Sequence, residues 1–357
     1  QEKNFPLGTA HALEHMVYTG TKNLSEEGVN ALSDDIFALT NAMTNYSYCI
    51  YYGTVRKVDL EKALELFSEI LLRPLLLEEA WEKERKVILQ ELSEWSEDMD
   101  QHCEDMALKN SFSGRRLGEL IIGTEESIKS ITIKDLRFFY NRFYTPENCT
   151  ITIVTDMEEE EAVSSISRYF GNFIDKYETS VKNIINTGED YKEINKGYYQ
   201  QKVNGYKKKK IQYFFDIGRL TPKELYALKV YCEYMGGGTS SILYDSLRTK
   251  AAMAYDVKAS VKGEKGVEVM TFQISTSKEN ILKVIEVIDK IIENHYNNGV
   301  DFDVYKLQKR LSLKSALETE RSIVLAHRLC THEVMFKDYR RIIKEINGDY
   351  NISLKDI

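Results

Sequence analysis

Apolar residues recur at helical spacing through most of the first half of the chain, with two breaks. Residues 9–19 carry Leu13, Met16 and Val17 on one face and predict a short helix, which Gly20 is placed to end. Residues 25–39 predict a second helix with Ser25 as its cap. The pattern then changes. AMTNYSYCIYYGTV, 42–55, is rich in Tyr, Thr and Ile and predicts a strand. An amphipathic helix over 58–74 stops at Pro74, and a long helical stretch covers 77–112. Another helix, a turn at Pro146 and a strand over 150–155 close the first half.

From about residue 171 the chain turns polar, with few large aliphatics as far as 200. The expected division is a first domain over 1–175, a linker over 176–200 and a second domain over 201–357. In the second half, 211–217 predicts a strand and 221–235 a helix. A Gly-rich turn at 236–238 leads into another helix, then strands over 254–261 and 267–276, then helices over 279–297 and 303–320. Both halves run strand, helix, strand, helix, an order that points to an old duplication without a strict repeat.

Charge narrows the partners. The net charge of −8 argues against nucleic acid, whose phosphates are neutralised by Lys and Arg. No run of about 18 apolar residues predicts a membrane span, and no basic-then-apolar leader opens the chain. Five widely spaced cysteines without a CxxC read as reduced thiols, and hence as a cytoplasmic location.

The candidate chemistry lies in GTAHALEHMVYTGT, 8–21. At about 100° per residue, His11 and His15 fall one turn apart on one helix face, with Glu14 between that face and its neighbour. Two imidazoles so placed can share a Zn²⁺, and the glutamate can then take a proton from water. The plainer alternative is three polar residues on the wet side of a core helix. A third ligand is offered by ERKVILQE, 84–91. There Glu84 and Glu91 are seven apart and share a face, opposite the apolar Val87, Ile88 and Leu89. A solvated acidic edge explains that spacing equally well. His102-Cys103-Glu104 has no ligand spacing, because adjacent residues on a helix point apart.

Taken together, the two motifs resemble the pitrilysin, insulin-degrading and mitochondrial-processing-peptidase family, the inverzincins with H-x-x-E-H. The resemblance implies an α+β fold of two related αβ domains, each a mostly antiparallel sheet packed against helices. It implies a zinc-dependent endopeptidase with one Zn²⁺ per chain. His11, His15 and Glu91 would be the ligands, Glu14 the general base and Glu84 a supporting carboxylate. TNAMT, 40–44, is similar to the family's N-A-x-T, which places Asn41, Ala42 and Thr44 on an edge strand that pairs with substrate. GGGTSSILYDSLRTKAAMAY resembles the second domain's signature, which makes Arg248 and Tyr255 the pair that completes the active site. Short-chain members build a closed chamber from two chains. The resemblance therefore implies a homodimer, or a heterodimer with a paralogous subunit, in which Arg248 and Tyr255 act on the partner's zinc site. Subunits that only bind peptide usually have a broken H-x-x-E-H, and here it is intact. The chain departs from the pattern in four places. The first strand of the zinc domain is absent or cut short at Gln1, and NISLKDI ends the sequence early. Leu39-Thr40 replaces a Gly pair, and Thr155 replaces a Gly.

Overall fold

The computed structural model describes residues 4–171, 173, 193–203, 208–264 and 267–357. Of the expected linker, 176–192 lies outside the described residues. The chain begins with α1 (Thr9–Met16), α2 (Glu26–Ile36), β1 (Phe37–Thr44), β2 (Cys49–Val55) and α3 (Leu60–Leu72). It continues through α4 (Glu78–Glu97), α5 (Met99–Ser111), α6 (Glu125–Ser130), α7 (Ile133–Phe143) and α8 (Glu159–Phe170). The remainder is β3 (Lys209–Asp216), α9 (Pro222–Gly236), α10 (Ile242–Tyr244), β4 (Ala254–Glu264) and β5 (Val267–Thr276). Four helices follow: α11 (Ile281–Asn298), α12 (Val304–Thr319), α13 (Ser322–Phe336) and α14 (Arg340–Asn347).

These elements form two αβ units, each with a small antiparallel sheet against helices. The first unit gathers α1–α4, β1, β2, α6–α8 and α13; the second gathers α5, β3–β5, α9–α12 and α14. In the first, Leu13 and Met16 of α1 pack with Trp81 and Ile88 of α4 and with Leu136, Phe139 and Phe143 of α7. Burying each such side chain is worth about 1.5–3 kcal/mol, so α1 is held by packing although it is too short to be stable alone. The Trp81 indole donates to the Ile131 carbonyl at 3.0 Å, which fixes α4 against the turn before α7. In the second unit, β5 lies between β3 and β4, and Phe272 and Ile274 pack against Met235 of α9 and Ile288 of α11. A Cβ on Gly236 would lie 2.4 Å from the Ala259 nitrogen, so the 236–238 turn takes glycine where helix meets strand.

Three local expectations are corrected. The strand expected over 42–55 is a hairpin that starts at Phe37, and the helix before it ends at Ile36. Asn45 makes the turn: its N–H donates to the Tyr48 carbonyl at 2.7 Å, and its Oδ1 accepts from the Tyr46 N–H at 2.7 Å. The helical stretch 77–112 breaks at Asp98, whose extended backbone and Oδ1 cap α5 by accepting from the N–H groups of Asp100 and Gln101. The 150–155 segment joins no ladder among the described residues. A cavity of about 500 Å³, lined by Ile50, Tyr52, Ile151, Ile153 and His327, lies along it and β2.

Candidate metal centre

The motif helix is positioned by its first turn. Gly8 has φ of +89°, and a Cβ there would lie 2.4 Å from the Ile122 carbonyl oxygen. Glycine alone lets the 122–123 turn press against the start of α1. Ala12, Leu13, Met16 and Val17 then go into the core, which leaves His11, Glu14 and His15 together on the remaining face. On α4, Trp81 and Ile88 are buried while Val87 is 50% exposed. Glu84 and Glu91 therefore flank the buried stripe instead of opposing an apolar 87–89 face. Since α4 packs on α1, carboxylates beside that stripe meet the histidines.

His11 Nε2 lies 3.7 Å from Glu91 Oε1, and His15 Nε2 lies 3.5 Å from Glu91 Oε2. One ligand atom from each of the three residues falls within 4.8 Å of the others. Three N/O ligands about 2.0–2.2 Å from a tetrahedral zinc stand roughly 3.3–3.6 Å apart, so the two Glu91 contacts already have that spacing and side-chain shifts of about 1 Å close the set. The residues fit the ion. His15 Nδ1 lies 3.1 Å from Glu84 Oε2, a contact that fixes the ring and its tautomer. His11 Nδ1 is buried without a partner among the described residues. Among those residues no other group of three His, Cys, Asp or Glu comes within ligand reach, His102-Cys103-Glu104 included.

Electrostatics suit the same ion. Burial, reinforced by His15, pushes His11 down to about 4, so it stands as a neutral ligand. For His15, burial works downward, but the bonds to Glu84 and Glu91 outweigh it and lift the ring to about 9. The His15 bond, against burial, holds the Glu91 carboxyl below its usual range. The proton on His15 Nε2, which faces Glu91, occupies the place a cation would take, while Nδ1 faces Glu84. Glu14 is only 8% exposed, and burial pushes its carboxyl up, opposed by the Thr44 hydroxyl that donates to Oε2.

Asn41, Ala42 and Thr44 lie on β1, opposite Tyr52, Tyr51 and Cys49 of β2. Asn41 Oδ1 accepts from the Ala42 N–H at 2.9 Å. The far edge of β1 has no strand neighbour among the described residues. Arg248 and Tyr255 belong to the second unit. Arg248 Nη1 donates to the Tyr255 carbonyl at 2.7 Å, and its guanidinium lies 5.1 Å from the Tyr244 ring centre. Tyr255 is the extra residue of a β-bulge between Ala254 and Asp256, and the residue is 55% exposed. The contact of Thr44 with Glu14 was not foreseen from sequence, since nothing in the spacing of residues 30 apart signals it.

Residues 1–125 match the family model described as insulinase, peptidase family M16, and residues 130–311 match the one described as the peptidase M16 inactive domain. The chain belongs to peptidase family M16. It is thus a two-domain member of the insulinase family, and among the described residues the His11, His15 and Glu91 cluster has the geometry of one zinc site. An uncharacterized zinc protease of Mycobacterium leprae is 26% identical over 297 residues, covering 82% of this chain and 65% of its own length. The M16 chain here thus spans less than two thirds of that relative. A protease from Helicobacter pylori superposes with a TM-score of 0.79 at 19% identity, covering 98% of this chain and 84% of its own. The periplasmic protease PqqL from Escherichia coli gives 0.67 at 16% identity, covering 100% of this chain and 41% of its own. At these identities the likeness speaks to the fold alone. No helix among the described residues is long and apolar enough to cross a membrane.

Proposed function

We propose that this chain is a zinc-dependent endopeptidase that cleaves peptides or unfolded segments. The observation that carries the reading is the convergence of His11, His15 and Glu91, with the buried carboxyl of Glu14 on the same helix face. A zinc ion held by the three ligands supplies Lewis acidity, which acidifies water and polarises a carbonyl. Glu14 takes the proton of the attacking water and hands it to the leaving amine. Burial, which raises the Glu14 pKa, favours that exchange near neutral pH. Glu84 keeps His15 in one orientation. The peptide backbone adds as a strand along Asn41, Ala42 and Thr44. Tyr255 and Arg248 stabilise the oxyanion that develops on the scissile carbonyl.

The working assembly is a homodimer that closes a chamber, with Arg248 and Tyr255 of one subunit serving the zinc site of the other. A pull-down separates self-association from a heterodimer with a paralogous subunit. The location is the cytoplasm, and neither nucleic acid nor membrane is a partner. The first test is metal content by mass spectrometry with a His15→Ala control, followed by peptide cleavage by Glu14→Gln. About one zinc per chain, lost in His15→Ala, and full metal but no turnover in Glu14→Gln are expected. Turnover by Glu14→Gln would remove Glu14 as the base. Zinc without cleavage in the wild type would leave a subunit that only binds peptide.

A further inference from the structure

The end of β1 holds Thr44 in a fixed place. Its ladder partner is Cys49, and the turn closes behind it through the Asn45 N–H and the Tyr48 carbonyl at 2.7 Å. A β-branched side chain on such a backbone has little rotamer freedom. Its hydroxyl donates to Glu14 Oε2 across the gap between β1 and α1. The same oxygen lies 3.6 Å from Cys49 Sγ. A hydroxyl has one proton, and the carboxylate is the stronger acceptor, so the Cys49 S–H is the donor that remains for Thr44 Oγ1. Burial, then the Glu14 charge, pushes the thiol up to about 11, so it keeps its proton. The Tyr51 and Tyr144 hydroxyls, 2.6 Å apart, also bond the same sulfur. The result is a one-way chain from thiol to hydroxyl to carboxylate.

We propose that Thr44 is a positioning residue for Glu14: its hydroxyl, backed by Cys49, fixes Oε2 and leaves Oε1 to exchange the proton. This rests on the reading of Glu14 as the base. It gives Thr44 two separate duties, its backbone at the peptide edge and its hydroxyl toward Glu14. A glutamate side chain has three rotatable bonds, and a base must come within about 2.6–3.2 Å of the proton it moves. Misplacement of about 1 Å costs roughly 100-fold in rate, so the tether acts on turnover and not on binding.

The test compares Thr44→Val, which replaces the hydroxyl by a methyl group, with Thr44→Ser, which keeps it. Thr44→Val should lower kcat roughly 10–100-fold with KM within about two-fold, while zinc stays at about one per chain. Thr44→Ser should recover most of kcat. Crystal structures of the zinc-loaded wild type and Val variant should show the Glu14 carboxyl at Thr44 in the first and displaced in the second. If Thr44→Val is too unstable to purify, Thr44→Ala takes its place with the same readings. Wild-type kcat in the Val variant, a loss carried by KM, or an unmoved Glu14 would each overturn the assignment. A wild type that holds zinc yet cleaves no peptide would sink the peptidase reading, and the Glu14 conformer would still decide the contact.

Discussion

Glu84 touches His15 from the side away from Glu91, so its effect on the metal passes through one imidazole ring. Removing its charge should leave the fold intact and let that ring turn. Glu84→Gln should therefore weaken zinc binding about 10–100-fold, read by competition with a chelating dye. Unchanged affinity would mean that Glu84 merely balances charge. Glu91→Gln, which removes a ligand oxyanion, should fall further and lose stoichiometric zinc. The two effects separate a supporting carboxylate from a ligand. At this scale the meeting of His11, His15 and Glu91 was legible. The four-residue step from His11 to His15 and the seven-residue step from Glu84 to Glu91 each fix a face through helical geometry. Val87 was misread because the apolar run 87–89 turns through about 200° of helix, and only Ile88 of the three points fully inward. The bond from Thr44 to Glu14 joins a strand end to a helix, and no periodicity reports such a meeting.

The start of α1 is set by backbone conformation and by lack of space at once. Gly8→Ala would add strain at φ +89° and push a Cβ into the Ile122 carbonyl. The expected cost is about 1–3 kcal/mol, measured as a lower midpoint in urea unfolding with an unchanged slope. Wild-type stability in Gly8→Ala would mean that the 122–123 turn moves freely. Most elements were legible because each carries its own period, as the buried face of α1 does. The breaks were harder, for they depend on single polar side chains. Asn45 turns an apparent strand into a hairpin, and Asp98 ends one helix while capping the next. Neither turn contains Gly or Pro, the residues that punctuate a sequence most plainly. The bulge that places Tyr255 is likewise invisible in alternation, because it is an irregularity in pairing with β5.

Across the whole chain, each compact unit takes a helix that sequence order alone would give to the other: α13 joins the first and α5 the second. Apolar periodicity is local and says which face is buried, not which unit buries it. Oligomeric assembly lies one step further from the sequence, and complementation between two inactive variants can test it. Glu14→Gln removes the base and Tyr255→Phe removes the phenol, and each should be impaired alone with full zinc. In a mixed dimer with sites built across subunits, one site pairs the intact Glu14 of one chain with the intact Tyr255 of the other. The second site lacks both. Random exchange makes half of the dimers mixed, and half of their sites are sound, so about a quarter of wild-type turnover should return. If each site draws both residues from one chain, every site in the mixture lacks one of them and no activity returns. Light scattering and a mass-tagged partner would verify exchange. Failure to recover activity after verified exchange would rule out sites built across subunits while leaving the zinc site and its proposed base untouched.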